Sequence, residues 1–143
     1  MNPASFDNLV RSTLEQYGPL GARAQLLGAS ARHTGHGDWT NVIVEVTSSD
    51  KGPSVYAEDW RYGGVNTHEK IARPIGIALI EANRMIGAEK AAEALPPGFP
   101  LDQASCDLYW AVPHLFGDEP HYYFSFEAVT LPIGAYRGQP FRR

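Results

Sequence analysis

The order of patterned segments predicts an α+β protein built on a single antiparallel sheet with two helices packed on one face. Three observations carry that expectation. A helical stripe of apolar residues opens the chain, two strand–turn–strand patterns rich in Trp and Tyr follow at intervals, and a second helical stripe lies between them. At 143 residues, and roughly 150 residues per domain, the whole chain 1–143 reads as one domain.

The first helix has Ser5 as a capping residue and Asp7 in the first turn, where a carboxylate complements the helix dipole. Phe6, Leu9, Val10, Thr13, Leu14 and Tyr17 recur on one face, and Gly18-Pro19 ends the element. Residues 20–33 carry Ala24, Leu26, Ala29 and Ala31 around Gly28. This pattern suits a strand leading into a hairpin, and its alanine content also suits a short helix. Thr34 to Asp38 has loop composition.

Trp39 to Thr47 reads as a strand, with Val42, Val44 and Val46 alternating against Asn41, Ile43 and Glu45. Asp50-Lys51-Gly52-Pro53 is turn chemistry and Val55 to Trp60 the return strand, in a hairpin with more than a tight two-residue loop. Tyr62-Gly63-Gly64 ends it.

A long second helix is expected next. It starts either from Thr67 as cap with Glu69 in the first turn, or from Pro74 at the first helical position. Its stripe is Ile75, Ala78, Leu79, Ala82, Met85 and Ile86, continuing through Ala88 to Leu95 and stopping at Pro96-Pro97-Gly98.

In the last third, Leu108, Trp110 and Val112 alternate with Tyr109 and Ala111, and Tyr122, Phe124 and Phe126 with Tyr123, Ser125 and Glu127, across a turn at Gly117 to Pro120. Val129 to Tyr136 adds a strand that Pro132 confines to an edge or bulge. Gln139 to Arg143 is a short basic end.

Lys plus Arg number 12 against 16 Asp plus Glu, a formal charge of −4, with 43 % hydrophobic and 20 % charged residues. These values exclude a disordered tail, a collagenous repeat and a disulfide scaffold, and the missing basic cluster argues against nucleic acid. The one cysteine, Cys106, forms no internal disulfide and suits a reducing compartment. The first residues lack a signal-peptide pattern, and the longest apolar run, Ile75 to Ile80, falls far short of the roughly 18 residues that span a bilayer. A soluble, cytoplasmic protein without membrane contact is expected.

Candidate chemistry is sparse. His33, His36 and Asp38 sit in a glycine loop with ligand-like spacing, yet no second ligand pair follows, so neither a metal nor a cofactor is expected. Glu58 and Asp59 are neighbours on a strand and point to opposite faces, so they form no dyad. Asp59, His68, Asp107 and Tyr123 are the acid–base candidates should the chain be an enzyme. Cys106 would act as a nucleophile only with His114 or His121 in reach. With Leu108 and Phe124 turned to the core, Tyr109 and Tyr123 fall on the opposite face beside Asp107 and Glu127. Tyrosines among carboxylates make a composition favoured in recognition surfaces, and Glu58 joins them as a further acidic candidate.

Leu95-Pro96-Pro97-Gly98-Phe99, then Leu108 to Val112, then His121 to Phe126 resembles the helix–hairpin layout of small bacterial immunity proteins, over about a third of the chain. The resemblance implies a binding module that neutralises a protein toxin. The leading expectation is therefore a protein-binding module using an aromatic and acidic sheet face, with self-association as a homodimer a further possibility. The alternative is a small-ligand enzyme or binding protein with a cone-shaped fold similar to the nuclear-transport-factor-like proteins.

Overall fold

The computed structural model describes residues 1–61, 64, 66–111 and 118–141. Readings that fall on Tyr62, Gly63, Val112, His114, Gly117, Arg142 and Arg143 lie outside the described residues. The elements are α1 (Pro3–Glu15), β1 (Ala22–Thr34), β2 (Gly37–Ser48), β3 (Lys51–Trp60), β4 (Asn66–Ile71), α2 (Ala88–Ala91), β5 (Ser105–Tyr109), β6 (His121–Phe126) and β7 (Val129–Gly134). Among the described residues seven strands form one sheet in the order β4-β3-β2-β1-β5-β6-β7, every neighbouring pair antiparallel. The α+β class with a single antiparallel sheet is as the sequence predicts.

Residues 22–34 are strand, the alanine-rich composition giving way to pairing on both sides with β2 and β5. The β2–β3 link is tighter than expected, only Ser49 and Asp50 separating Ser48 from its partner Lys51. β7 is an edge strand, one of the two placements that Pro132 allows. The chain after it turns back: Phe141 N–H donates to Pro132 O at 3.0 Å and Gly134 N–H to Gln139 O at 2.9 Å.

Residues directly opposite in an antiparallel ladder share a face. One face therefore carries Val42, Val44, Ala29, Ala31, Cys106, Leu108, Tyr122, Phe124 and Ile133, all part of one buried core cluster. α1 lies here. Phe6 meets Tyr122 edge-on at 6.5 Å, Trp60 Nε1 donates to Thr13 Oγ1 at 3.1 Å, and Phe6 and Val10 are buried. Each such side chain contributes about 1.5–3 kcal/mol by leaving water.

The helix caps differ from the sequence reading. Asn2, not Ser5, caps α1, its side-chain oxygen accepting from Ser5 N–H at 3.1 Å. Asp7 serves a different helix: its carboxylate accepts from Ala88 N–H at 2.7 Å and Glu89 N–H at 3.1 Å, closing the start of α2 against α1.

The long second helix does not form. Thr67 to Ile71 belong to β4, and among the described residues of this stretch α-helix is confined to Ala88–Ala91, with 3-10 turns over Ala82–Arg84 and Ala92–Ala94. Residues 72–87 form an irregular strap. Three of its N–H groups bond outside the segment, Ala78 to Trp110 O at 2.9 Å, Ile80 to Leu26 O at 2.8 Å and Ile86 to Ala135 O at 2.8 Å, while Arg84 and Met85 N–H close a local turn on Glu81 O and Ala82 O. Pro74, with Gly76 and Gly87 at φ +77° and +91°, punctuates a stretch that helical geometry would have to run through. Ile75, placed in the apolar stripe by spacing, is 99 % exposed. No helix among the described residues is long and apolar enough to cross a membrane.

Candidate functional site

The sheet's second face is where the sequence candidates gather. Register sets Tyr123, Asp107, Ser30, Asn41, Asp59 and Thr67 in one row across six strands. The adjacent row is His121, Tyr109, Gly28, Ile43, Ala57 and Glu69. Asp107 is held by Arg32, Oδ1 to Nη2 at 2.8 Å, and Asp59 Oδ1 accepts from Asn41 Nδ2 at 2.5 Å. The Tyr109 and Tyr123 rings stack with centroids 4.5 Å apart and 17° between planes. Arg61 sits 4.5 Å over the ring of Trp39, which is 41 % exposed.

The strap crosses one end of this face. Arg73 pairs with the buried Glu45, and Pro74 and Ile77 come down beside β1 and β5. Between strap and sheet lies a pocket of about 250 Å³, walled by Ile43, Gly28, Leu27 and Tyr109 and rimmed by Ser30, Asn41 and Asp107. Its floor is made by a β-bulge. The register slips between Leu26 and Gly28, so Leu27 is the extra residue and is fully buried. Gly28 then lets β5 close in, since a Cβ there would stand 2.9 Å from Leu108 O.

Several candidates sit elsewhere than the sequence suggested. Glu58 faces the helix side and is 1 % exposed, so it is no part of this surface. Glu127 lies in the β6–β7 turn at φ +52°, off the sheet face. Tyr123 is 6 % exposed, leaving Tyr109 as the accessible member of the stack. His68 pairs across the strands with Glu58 and so is separated from Asp59, Asp107 and Tyr123 by the sheet itself. Of those four acid–base candidates, only Asp107 lines the pocket.

Glu58 and His68 make a cluster of their own. Glu58 Oε1 accepts from Gln16 Nε2 at 2.6 Å and the Tyr17 hydroxyl at 2.9 Å, and lies 2.5 Å from His68 Nδ1, while His68 stacks on Tyr56 at 4.4 Å. Burial first, and the Glu58 carboxylate second, push the Tyr17 phenol above its ordinary range. The arrangement pins the end of α1 to β3 and β4.

His33 Nδ1 and Asp38 Oδ1 are 3.8 Å apart, and Asp38 Oδ2 accepts from Asn2 N–H at 2.6 Å, tying the hairpin tip to the start of α1. His36 is exposed in the β1–β2 turn, and among the described residues no three His, Cys, Asp or Glu side chains converge as a metal site. Cys106 is buried on the core face, where burial pushes its thiol well up, and His121 stands on the opposite face.

Sequence reasoning missed the pocket. Its one legible signal is Ile43, an apolar residue in the polar phase of its strand. Gly28, Pro74 and Ile77 gave none, because only tertiary contact brings the strap over the bulge.

Compared with known proteins, the chain matches no family model, no curated protein and no solved structure.

Proposed function

We propose that this chain is a binding module whose open sheet face receives a protein partner. The observation that carries the reading is the 250 Å³ pocket set in that face, apolar inside and polar at its rim. That layout matches the anchoring centre of a protein interface, where a buried apolar side chain supplies most of the affinity and surrounding polar groups exclude water. The size suits one Leu, Met or Phe side chain. Around it, Tyr109 offers rigid contact area, Trp39 with Arg61 offers a cation-stabilised aromatic, and the Arg32–Asp107 and Asn41–Asp59 pairs are already satisfied. Satisfied pairs favour a partner that matches shape over one chosen by net charge. The resemblance to bacterial immunity proteins makes a toxin one class of partner consistent with this surface, and the module works in solution inside the cell.

The test is site-directed photocrosslinking in cells. A crosslinking residue in place of Trp39 is expected to trap a partner chain, whereas one in place of Glu93 on α2's side is not. Ile43→Lys fills the pocket with a charge and should cut the Trp39 yield at least tenfold while thermal stability holds. Equal trapping from both positions, or a yield indifferent to Ile43→Lys, refutes the sheet-face reading. Trapping of a second copy of the chain would make the face a homodimer surface instead.

A further inference from the structure

We propose a second, independent site: the cavity between α1 and the end of the strap binds a small neutral molecule with a ring-sized apolar body and one hydrogen-bonding head. The cavity measures about 240 Å³, against the roughly 150 Å³ that admits a benzene ring. Val10 on one side and Met85 and Ile86 on the other form its apolar walls. It lies on the helix side of the sheet, away from the pocket proposed for the partner.

Tyr122 gives the cavity its chemistry. The residue is fully buried and lines the space, and among the described residues its O–H finds no acceptor, the Gly87 N–H being directed at its oxygen. A buried O–H without an acceptor is unfavourable, and a ligand oxygen placed against it would remove that penalty. The phenol stays protonated, its pKa driven upward by burial and then by the Asp7 charge, so it is available as a donor.

Charge around the cavity selects a neutral occupant. Asp7 lines it, and both of its oxygens are engaged by Ala88 and Glu89 N–H, so an anion would meet an established negative charge. Arg11, donating to Asn8 Oδ1 at 3.1 Å, stands on the same lining and disfavours a cation. A phenol or a small aromatic alcohol meets the requirements of volume, apolar contact and one polar head.

Phenol and toluene, nearly equal in shape and differing in the hydroxyl, are the probes. Titrated into the full chain, phenol is expected to shift the methyl signals of Met85 and Ile86 and to bind about fivefold more tightly than toluene. Tyr122→Phe should bring the two affinities together, and Ala82→Phe, which fills the space from the strap side, should abolish both. The proposal is overturned if neither probe moves those methyl signals, if the native chain shows no preference for phenol, or if Tyr122→Phe keeps the full preference. Should Tyr122→Phe fail to fold, the native preference and the Ala82→Phe loss decide it.

Discussion

Asp7 does work on an element 81 residues away. Helix starts leave N–H groups without intrahelical partners, and α2 is too short to hold itself together. Asp7 supplies the two missing acceptors from α1, so removing it should both weaken α2 and loosen the two helices from each other. Asp7→Ala is expected to cost about 1–2 kcal/mol in urea unfolding. Amide exchange at Ala88 and Glu89 should accelerate far more than at β1 or β2. The sequence marked Asp7 as a helix-start residue, and it is one, though for the other helix. Local spacing cannot tell which helix an acidic side chain caps. Glu119 repeats the lesson at the far edge, accepting from the Tyr136 and Arg137 N–H groups at 3.0 Å each, which holds the chain leaving β7.

At the level of elements, the strands were legible and the strap was not. Alternation in 39–47 and 121–126 is a period that a helix cannot satisfy, so β2 and β6 follow from the sequence. The spacing of Ile75, Ala78, Leu79, Ala82 and Ile86 fits a helix, yet the Ala78, Ile80 and Ile86 N–H groups find carbonyls after β5, on β1 and after β7, and propensity yields to tertiary bonds. The bulge at Leu27 connects strap and sheet, because it turns Leu27 under the strap and brings Gly28 against β5. Gly28→Ala would put a Cβ 2.9 Å from Leu108 O, with only backbone to yield. The expected cost is about 1–3 kcal/mol, read as a lowered urea midpoint. Gly18→Ala is the control, since nothing among the described residues lies within 4 Å of a Cβ there.

Across the whole molecule, stability should bound a pH window set by buried phenols, one buried thiol and one imidazole. Burial raises the Tyr17, Tyr122 and Tyr123 phenols above their ordinary value, aided respectively by Glu58, Asp7 and Tyr109. The unfolded chain gives up those protons near pH 10 while the folded one keeps them. It then binds fewer protons, and stability falls as pH rises past about 10. His121 works in the opposite sense. Burial, only partly opposed by Glu119, lowers its pKa below the ordinary 6.5. The unfolded state therefore takes up the proton first, and stability declines as pH drops through 6.5. The buried Cys106 thiol, also raised by burial, starts the alkaline decline near pH 9. Melting temperature measured against pH should therefore peak between these limits, and a curve still rising beyond pH 10 would contradict the burial of the phenols.

The sequence by itself determined the α+β class, the antiparallel hairpins, the confinement of β7 to an edge or a bulge and the sharing of one sheet face by Tyr109, Tyr123 and Asp107. All of these follow from local periodicity and turn chemistry, which act over a few residues. Tertiary structure decided the rest: that Glu58 and His68 meet behind the sheet, that Tyr123 is covered, that residues 72–87 cross as a strap, and that pockets open beside Ile43 and Tyr122. Those outcomes depend on which distant carbonyl, carboxylate or side chain is free to satisfy a given group, and one segment's pattern holds no record of its partners.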